Sequence, residues 1–508
     1  MDELDPLEKI TFENAIKSTK FGKFNIFLLL ICGAIFANTA MGVTMLSFVL
    51  PAAACDFDMN SQSKGALSGA PMMGMLVGSY FWGCMADIKG RRFVLVTTLL
   101  IDGICGLVSS FIPIYSIFLT LRLINGFSIA GTMGICFSYL GEFQQTKYRE
   151  TVLGWMELFW AVGVICLPLI AWGIIPMEIC FKYLKSWNIF VLIGSLPSVL
   201  IGLLLIWFPE SPKFLVEVGE PDKALDILKK IYELNTGNSA ADFPVRSLQP
   251  TLHKFRRMQK DHRISIRQLK VHKKKDMKIL LGTVWDQTKE LLHPPLLKLT
   301  LLTCYIQFGI LTSYYTLMIW FPELFNRLEK FEVLYPNDTV TMCAASKVVV
   351  DQSICQEHIE DEVFIHTLLV GLACIPSSIW LPSCMYKLGV RFFLMFSLIV
   401  SCIATILLYF VQNLAHHLML SCLFESMTSL AESAIYCVLV EIFPTRLRVM
   451  ASSLSLTVGR LGGVLGNALF GYLIDIQCEV PIVIFAALLL TSGILCFFLP
   501  HTGQKSLN

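Results

Sequence analysis

Gly83-Cys84-Met85-Ala86-Asp87-Ile88-Lys89-Gly90-Arg91-Arg92 lies between two apolar runs, and a reduced copy, Tyr386-Lys387-Leu388-Gly389-Val390-Arg391, lies between two others. Gly90 and Gly389 are 299 residues apart, and so are Arg92 and Arg391, Glu142 and Glu441, and Arg149 and Arg448. Four agreements at one offset identify an internal repeat. The turn has a simple chemistry. Glycine supplies backbone freedom where a side chain would obstruct it. Arg91 and Arg92 anchor it among charged groups, and Asp87 is placed to pair with them or with a helix N-terminus.

Outward from these turns the chain is mostly apolar. Its 508 residues are 55% apolar and 15% charged, with a mean hydropathy of +0.65, whereas soluble domains carry about 25% charged residues. Twelve runs approach the ~20 residues that a helix needs to cross ~30 Å of hydrocarbon. They lie at about 24–54, 65–86, 93–111, 114–140, 151–175 and 188–208, then 297–324, 362–384, 392–412, 416–441, 449–474 and 480–499. The expected fold is an all-α membrane protein of twelve transmembrane helices in two six-helix repeats. Six helices repeated in one orientation imply a parallel repeat about an axis along the membrane normal, with the binding site between the halves. The expected organisation is a cytoplasmic segment 1–23, a first half 24–208, a basic central loop 209–296, a second half 297–499 with an outer loop 326–361, and a tail 500–508.

Charge placement sets the expected orientation. Lys17, Lys20 and Lys23 precede the first run, and the repeated turns put Lys89, Arg91, Arg92, Lys147, Arg149, Lys387, Arg391, Arg446 and Arg448 on the same side. Lys254 to Lys278 holds eleven basic residues against two acidic ones, which makes this side and both termini cytoplasmic. Interleaved apolar residues let that stretch lie on anionic lipid or stay solvated. Residues 326–362, on the other side, hold eight acidic and three basic residues and the glycosylation sequon at Asn337. A disulfide between Cys343 and Cys355 is plausible there, the alternatives being free thiols or pairing with Cys55, Cys180 or Cys478. The polar N-terminus does not read as a cleavable leader. A net charge of +2 gives no reason to expect nucleic acid. With no Cys/His cluster, phosphate loop or nucleophile–base set, neither a metal, a cofactor nor an enzyme is expected, and a monomer is.

Within the runs, ionisable groups stand out because charge in the bilayer is costly, at ~2.5 kcal/mol or more, and marks a pathway or a partner. Glu425, Ser429, Glu432 and Tyr436 follow at steps of four, three and four, so they share one helix face. Glu432 lies nine residues before Glu441, or ~13 Å along a helix, near the membrane middle. Glu157, Asp102 and Arg460 are the other interior charges; Glu432 is a candidate to bind solute or to pair with Arg460, and Asp102 to bond Asn125. Tyr314, Tyr315 and Trp155 could stack on a ring or simply pack. The charges Asp87, Arg91, Arg92, Glu142, Arg149, Glu441 and Arg448 are candidates to hold the two halves together in one state and release them in another.

Taken together, Gly83…Asp87-x-x-Gly90-Arg91-Arg92, Arg122-x-x-x-Gly126, Glu142…Arg149, Pro209-Glu210-Ser211-Pro212 and Glu441-Ile-Phe-Pro444-Thr445-x-x-Arg448 resemble the sugar-porter and organic-ion-transporter branch of the major facilitator superfamily. The stretches Ser47-Phe-Val-Leu-Pro51, Phe137-Ser-Tyr139, Phe159-Trp160, Ala171-Trp172-x-Ile-Ile-Pro176 and Ser313-Tyr-Tyr-x-Leu-x-x-Trp320-Phe-Pro322 are similar to the synaptic vesicle glycoprotein 2 group. The resemblance implies a secondary transporter-like protein moving a small organic solute, an organic cation or a sugar, in a plasma or vesicle membrane. It equally admits a vesicle protein that binds partners with little transport. It adds Arg122 and Glu210 to the gating set and matches Trp155 to a ligand-contacting tryptophan. The chain departs from the group at Thr39 and Gly42, where the group carries acids. It also departs at Glu432 and Tyr436, where the group has a ligand-contacting tryptophan and aspartate, and in a shorter outer loop.

Overall fold

A computed structural model describes residues 12–177, 184–248, 277–335, 341–345, 359–444 and 447–500. Twelve long helices carry the fold: α1 Lys23–Thr44, continued by Leu46–Ala52; α2 Ser61–Lys89; α3 Arg91–Ser109; α4 Tyr115–Glu142; α5 Met156–Ile174, preceded by Thr146–Gly154; and α6 Ser186–Leu205. The second half repeats them as α7 Leu297–Leu334, α8 Asp361–Leu388, α9 Val390–Phe410, α10 Leu414–Ile442, α11 Arg448–Gln477 and α12 Glu479–Leu495. By length and composition nine of these spans, among the described residues, are apolar enough to cross a membrane. Of the other three, α2 and α11 pack on each other across the seam between the halves, and α7 packs on α11 and on Leu46–Ala52. Their lower hydropathy has a physical cause: in lipid, helices associate through small residues and polar contacts. On this seam a Cβ added to Gly471 would come within 2.6 Å of the Gly65 backbone.

The repeat is visible in the backbone. Gly90 and Gly389 adopt φ of +105° and +80° between helices 2 and 3 and between helices 8 and 9. Arg92 donates to the Phe208 carbonyl at 2.7 Å, and Arg391 donates to the Phe497 carbonyl, so each arginine closes off the end of its half's last helix.

Two sequence boundaries change. Helix α7 runs ten residues past the expected limit at 324, into the first third of the expected outer loop, because Arg327 Nε pairs with Glu323 one turn back at 3.0 Å. The expected central loop contains helices Pro212–Val218, Pro221–Thr236 and Met277–Leu291. The first two, with helix Phe12–Ser18 of the N-terminal segment, bury Ile16, Phe214, Leu225, Leu228 and Phe243 in a second small core. Asn235 ties this core to α1: its side chain accepts from Phe24 N at 3.0 Å and donates to the Lys20 carbonyl at 3.0 Å.

Candidate functional site: charges at both ends of a two-half interface

At the basic end, which carries the turns at Gly90 and Gly389, Arg91 Nε lies 3.3 Å from Glu142 and Arg91 Nη2 lies 3.2 Å from Asp87. Ser211 donates to the second oxygen of Glu142. Glu210 caps α3, accepting from Arg92 N at 2.9 Å, as expected of a carboxylate at a helix N-terminus. These contacts all lie inside the first half and the segment that follows it. Glu142 and Arg149 do not pair with each other, since Arg149 reaches Glu13 at 3.6 Å and the Gly141 carbonyl at 3.0 Å. Their second-half equivalents are not joined either: Glu441 is exposed, and Arg448 Nε has no hydrogen-bond partner. The expectation that these charges clamp the two halves together is therefore not met in this state. Arg122 is not at this end at all. It is buried in the first half, donating to Ser109 and stacked 5.0 Å from the Phe118 ring.

Gly90 is the strictest position here. Besides its left-handed φ, an added Cβ would fall 2.3 Å from Glu210 Oε2. Gly90→Ala is expected to lower stability by ~2 kcal/mol from backbone strain, plus the lost cap. A melt of the variant against Gly389→Ala, where nothing lies within 4 Å of the added carbon, separates strain from collision.

At the far end the two halves are joined by charge. Lys64 Nζ of α2 lies 2.6 Å from Glu323 of α7, whose carboxylate also takes Arg327 at 3.0 Å. Arg327 continues to Asp475 of α11 at 2.9 Å and to Ser61 Oγ at 2.9 Å. Lys64, Glu323 and Arg327 are all at least nine-tenths buried. Phe48 stacks on Phe364 at 5.6 Å, and Trp172 donates to Asp361 at 3.0 Å, joining the halves at the same end. Sequence reading missed this cluster, because Lys64 and Glu323 are 259 residues apart; the one local signal was the i, i+4 pair Glu323/Arg327 at the outer limit of a span.

The expected Cys343–Cys355 disulfide is corrected: Cys343 is bonded to Cys478, at the end of α11. Met342, Cys343 and Ala345 of a short helical turn are buried, and the partner that Cys343 bonds is 135 residues away in sequence. Cys55 is also disulfide-bonded. Cys355, Asn337 and most of the basic stretch 254–278 lie outside the described residues.

Glu329, five residues beyond the expected span 297–324, lies 4.0 Å from His366. Burial and the adjacent Glu362 carboxyl, with Glu360 and Glu332 further off, push it up to about 8. A carboxyl raised in this way stabilises the fold while protonated. That contribution is complete below 4.5 and is lost as pH rises through about 8. The thermal midpoint is expected to fall as pH rises from about 4.5 to about 8 and to level off above that, and Glu329→Gln is expected to flatten that slope.

In the interior, the sequence candidates meet at the interface. Glu432 of α10 has Glu157 of α5 and Arg460 of α11 as its charged neighbours, and Tyr315 and Tyr436 adjoin the same group. Arg460 does not form an ion pair with Glu432. It crosses the seam instead, donating to Ser79 and, at 3.3 Å, to the Met75 carbonyl of α2. Tyr314 and Tyr315 are buried, with rings 5.1 Å apart. Glu425 lines a cavity of about 30 Å³ with Thr44, Ser47, Phe48, Met318, Phe321 and Thr367, among others. Trp155, 55% exposed at the break before α5, makes no ring contact with this group. Asp102 is occupied within the first half, accepting from Asn125 and, at 2.5 Å, from Ser198.

A bundle of two six-helix repeats, with buried charges along the seam, defines a membrane transporter fold. The chain belongs to the major facilitator superfamily. Residues 45–291 match the Sugar (and other) transporter family and residues 363–508 match the Major Facilitator Superfamily itself. Human synaptic vesicle glycoprotein 2B is 25% identical, over 98% of this chain and 86% of its own length; rat synaptic vesicle glycoprotein 2A is 25% identical, over 98% and 80%. Among solved structures, the xylose transporter XylE from E. coli in a partially occluded inward open conformation superposes with a TM-score of 0.67 at 14% identity, covering 96% of this chain and 100% of that one.

Proposed function

We propose that this protein moves a small organic solute across a membrane by alternating access, holding it between α5, α7, α10 and α11. One observation carries the reading: among the described residues an ion pair joins the halves only at the far end, Lys64 to Glu323, while the charged motifs of the basic end stay inside the first half and the segment that follows it. That asymmetry is one of the two states an alternating-access protein needs. With the basic end cytoplasmic, as lysine and arginine placement argues, this state opens inward. Glu432, Glu157, Tyr315 and Tyr436 are the proposed solute contacts, with Glu425 and Tyr314 above them and Trp155 at the approach. Asp87, Arg91, Glu142 and Glu210 hold the first half's basic end as one piece. No catalytic step is proposed, and the basic stretch 254–278 is proposed to rest on anionic lipid of a plasma or vesicle membrane.

The second reading, a vesicle protein that binds partners with little transport, is favoured by α1. Thr39 spends its hydroxyl on the Ile35 carbonyl at 2.8 Å, and Gly42 packs on Ile129, so neither position offers a titratable group for proton coupling. A solute-uptake panel in proteoliposomes, with and without a proton gradient, decides between them. Uptake of any solute supports transport, and uniform absence of uptake by folded protein supports the second reading.

A further inference from the structure

The carboxylates inside the spans differ in how they are satisfied. Asp102 has Asn125 and Ser198, Glu142 has Arg91 and Ser211, and Glu323 has Lys64 and Arg327. Glu425 has no such partner. It is 1% exposed, and neither of its oxygens completes a hydrogen bond, although Tyr314 stands beside it. A carboxylate taken out of water without a partner costs several kcal/mol or more, so such a site binds a proton or a cation.

The surroundings distinguish these two occupants. Glu425 opens on a cavity of about 30 Å³, room for roughly two water-sized groups. The hydroxyls of Thr44, Ser47 and Thr367 and the rings of Phe48 and Phe321 share that wall. An ammonium group carries three donors and is attracted to ring faces. It could donate to Glu425 and to two hydroxyls at once while packing on a ring. A neutral polyol finds few partners on so apolar a wall. The wider interface is acidic as well: Glu157, Glu425 and Glu432 face it against Arg460, whose guanidinium is committed to Ser79 and Met75.

We infer that the solute is a small organic amine, whose ammonium group is held by Glu425 with Thr44, Ser47 and Thr367 and whose remainder extends along the interface towards Glu432. This rests on the interface between the halves being the solute site.

The test is ligand-dependent thermal unfolding of the purified full chain in nanodiscs at pH 7. The probes are ethylamine, butylamine and phenethylamine, each paired with the alcohol of the same skeleton. Binding to the folded state raises the midpoint with ligand concentration. At least one amine is expected to do so, with its alcohol needing at least tenfold more for the same shift, and Glu425→Gln should weaken the amine's effect at least tenfold. Equal action of an amine and its alcohol, a flat response to every amine, or an amine effect unchanged in Glu425→Gln would each overturn the inference. The amine–alcohol comparison on the unmodified chain decides the matter even if Glu425→Gln fails to fold. Uptake of a neutral solute with no response to amines would sink the amine and leave transport standing. Amine binding without uptake of any probe would do the reverse.

Discussion

Replacing Glu323 by Gln is expected to open the far end. Glu323 sits between Lys64 at 2.6 Å and Arg327 at 3.0 Å, and all three are buried. Removing one charge from a buried pair strands the other and costs ~3–5 kcal/mol. Arg327 keeps Asp475, so the stranded charge is chiefly Lys64. That lysine belongs to the other half, and separating the halves at this end lets it reach water. The loss therefore falls on the closed state more than on the fold, and ~3 kcal/mol shifts a two-state balance by about a hundredfold. The measurement is labelling of Ser47→Cys by an impermeant maleimide applied from the far face. Ser47 is buried in this state, and labelling should rise at least tenfold in the Glu323→Gln background. Adding Lys64→Gln removes the stranded charge, so the double variant should recover part of the lost stability. Labelling that stays at the parental level would show that the cluster is a rivet within the fold and not a gate.

Glu432→Gln is expected to leave a folded protein with uptake reduced at least tenfold. Its carboxylate makes no ion pair, and Arg460, the sequence candidate for that role, is held by Ser79 and Met75 of α2. Gln preserves shape and hydrogen-bonding capacity, so the thermal midpoint should change little. Arg460→Gln should behave in the opposite way. It removes a buried cation that bridges the halves, and the midpoint should fall, with or without Glu432→Gln. If Glu432→Gln is unstable and Arg460→Gln restores it, the two are a structural pair after all. If it is stable with unchanged uptake, Glu432 has no part in moving solute.

How much of this was legible beforehand depends on the range of each interaction. Asp87, Gly90 and Arg91 were readable because the turn, its glycine and its i, i+4 ion pair are local, and because Gly90 and Arg92 recur 299 residues on, although Asp87 and Arg91 are replaced there by Tyr386 and Val390. The shared face of Glu425, Glu432 and Tyr436 followed from helical spacing alone. Reading Glu142 with Arg149 failed for the same reason that made it attractive. Spacing brought them to one turn, but α3 places Arg91 closer to Glu142, and the N-terminal helix offers Glu13 to Arg149.

Membrane solvent makes part of the architecture a matter of sequence alone. Hydrocarbon demands that each crossing satisfy its own backbone, so length and hydropathy determined twelve helices, and the constant offset determined two parallel halves. What joins those halves was decided only by the tertiary structure. Lys64 with Glu323 and Arg460 with Ser79 cross between them, and within the second half Arg327 meets Asp475 and Cys343 meets Cys478, each time joining groups more than a hundred residues apart. No local rule ranks such pairings, because their energy depends on which faces meet and how completely water is excluded from between them.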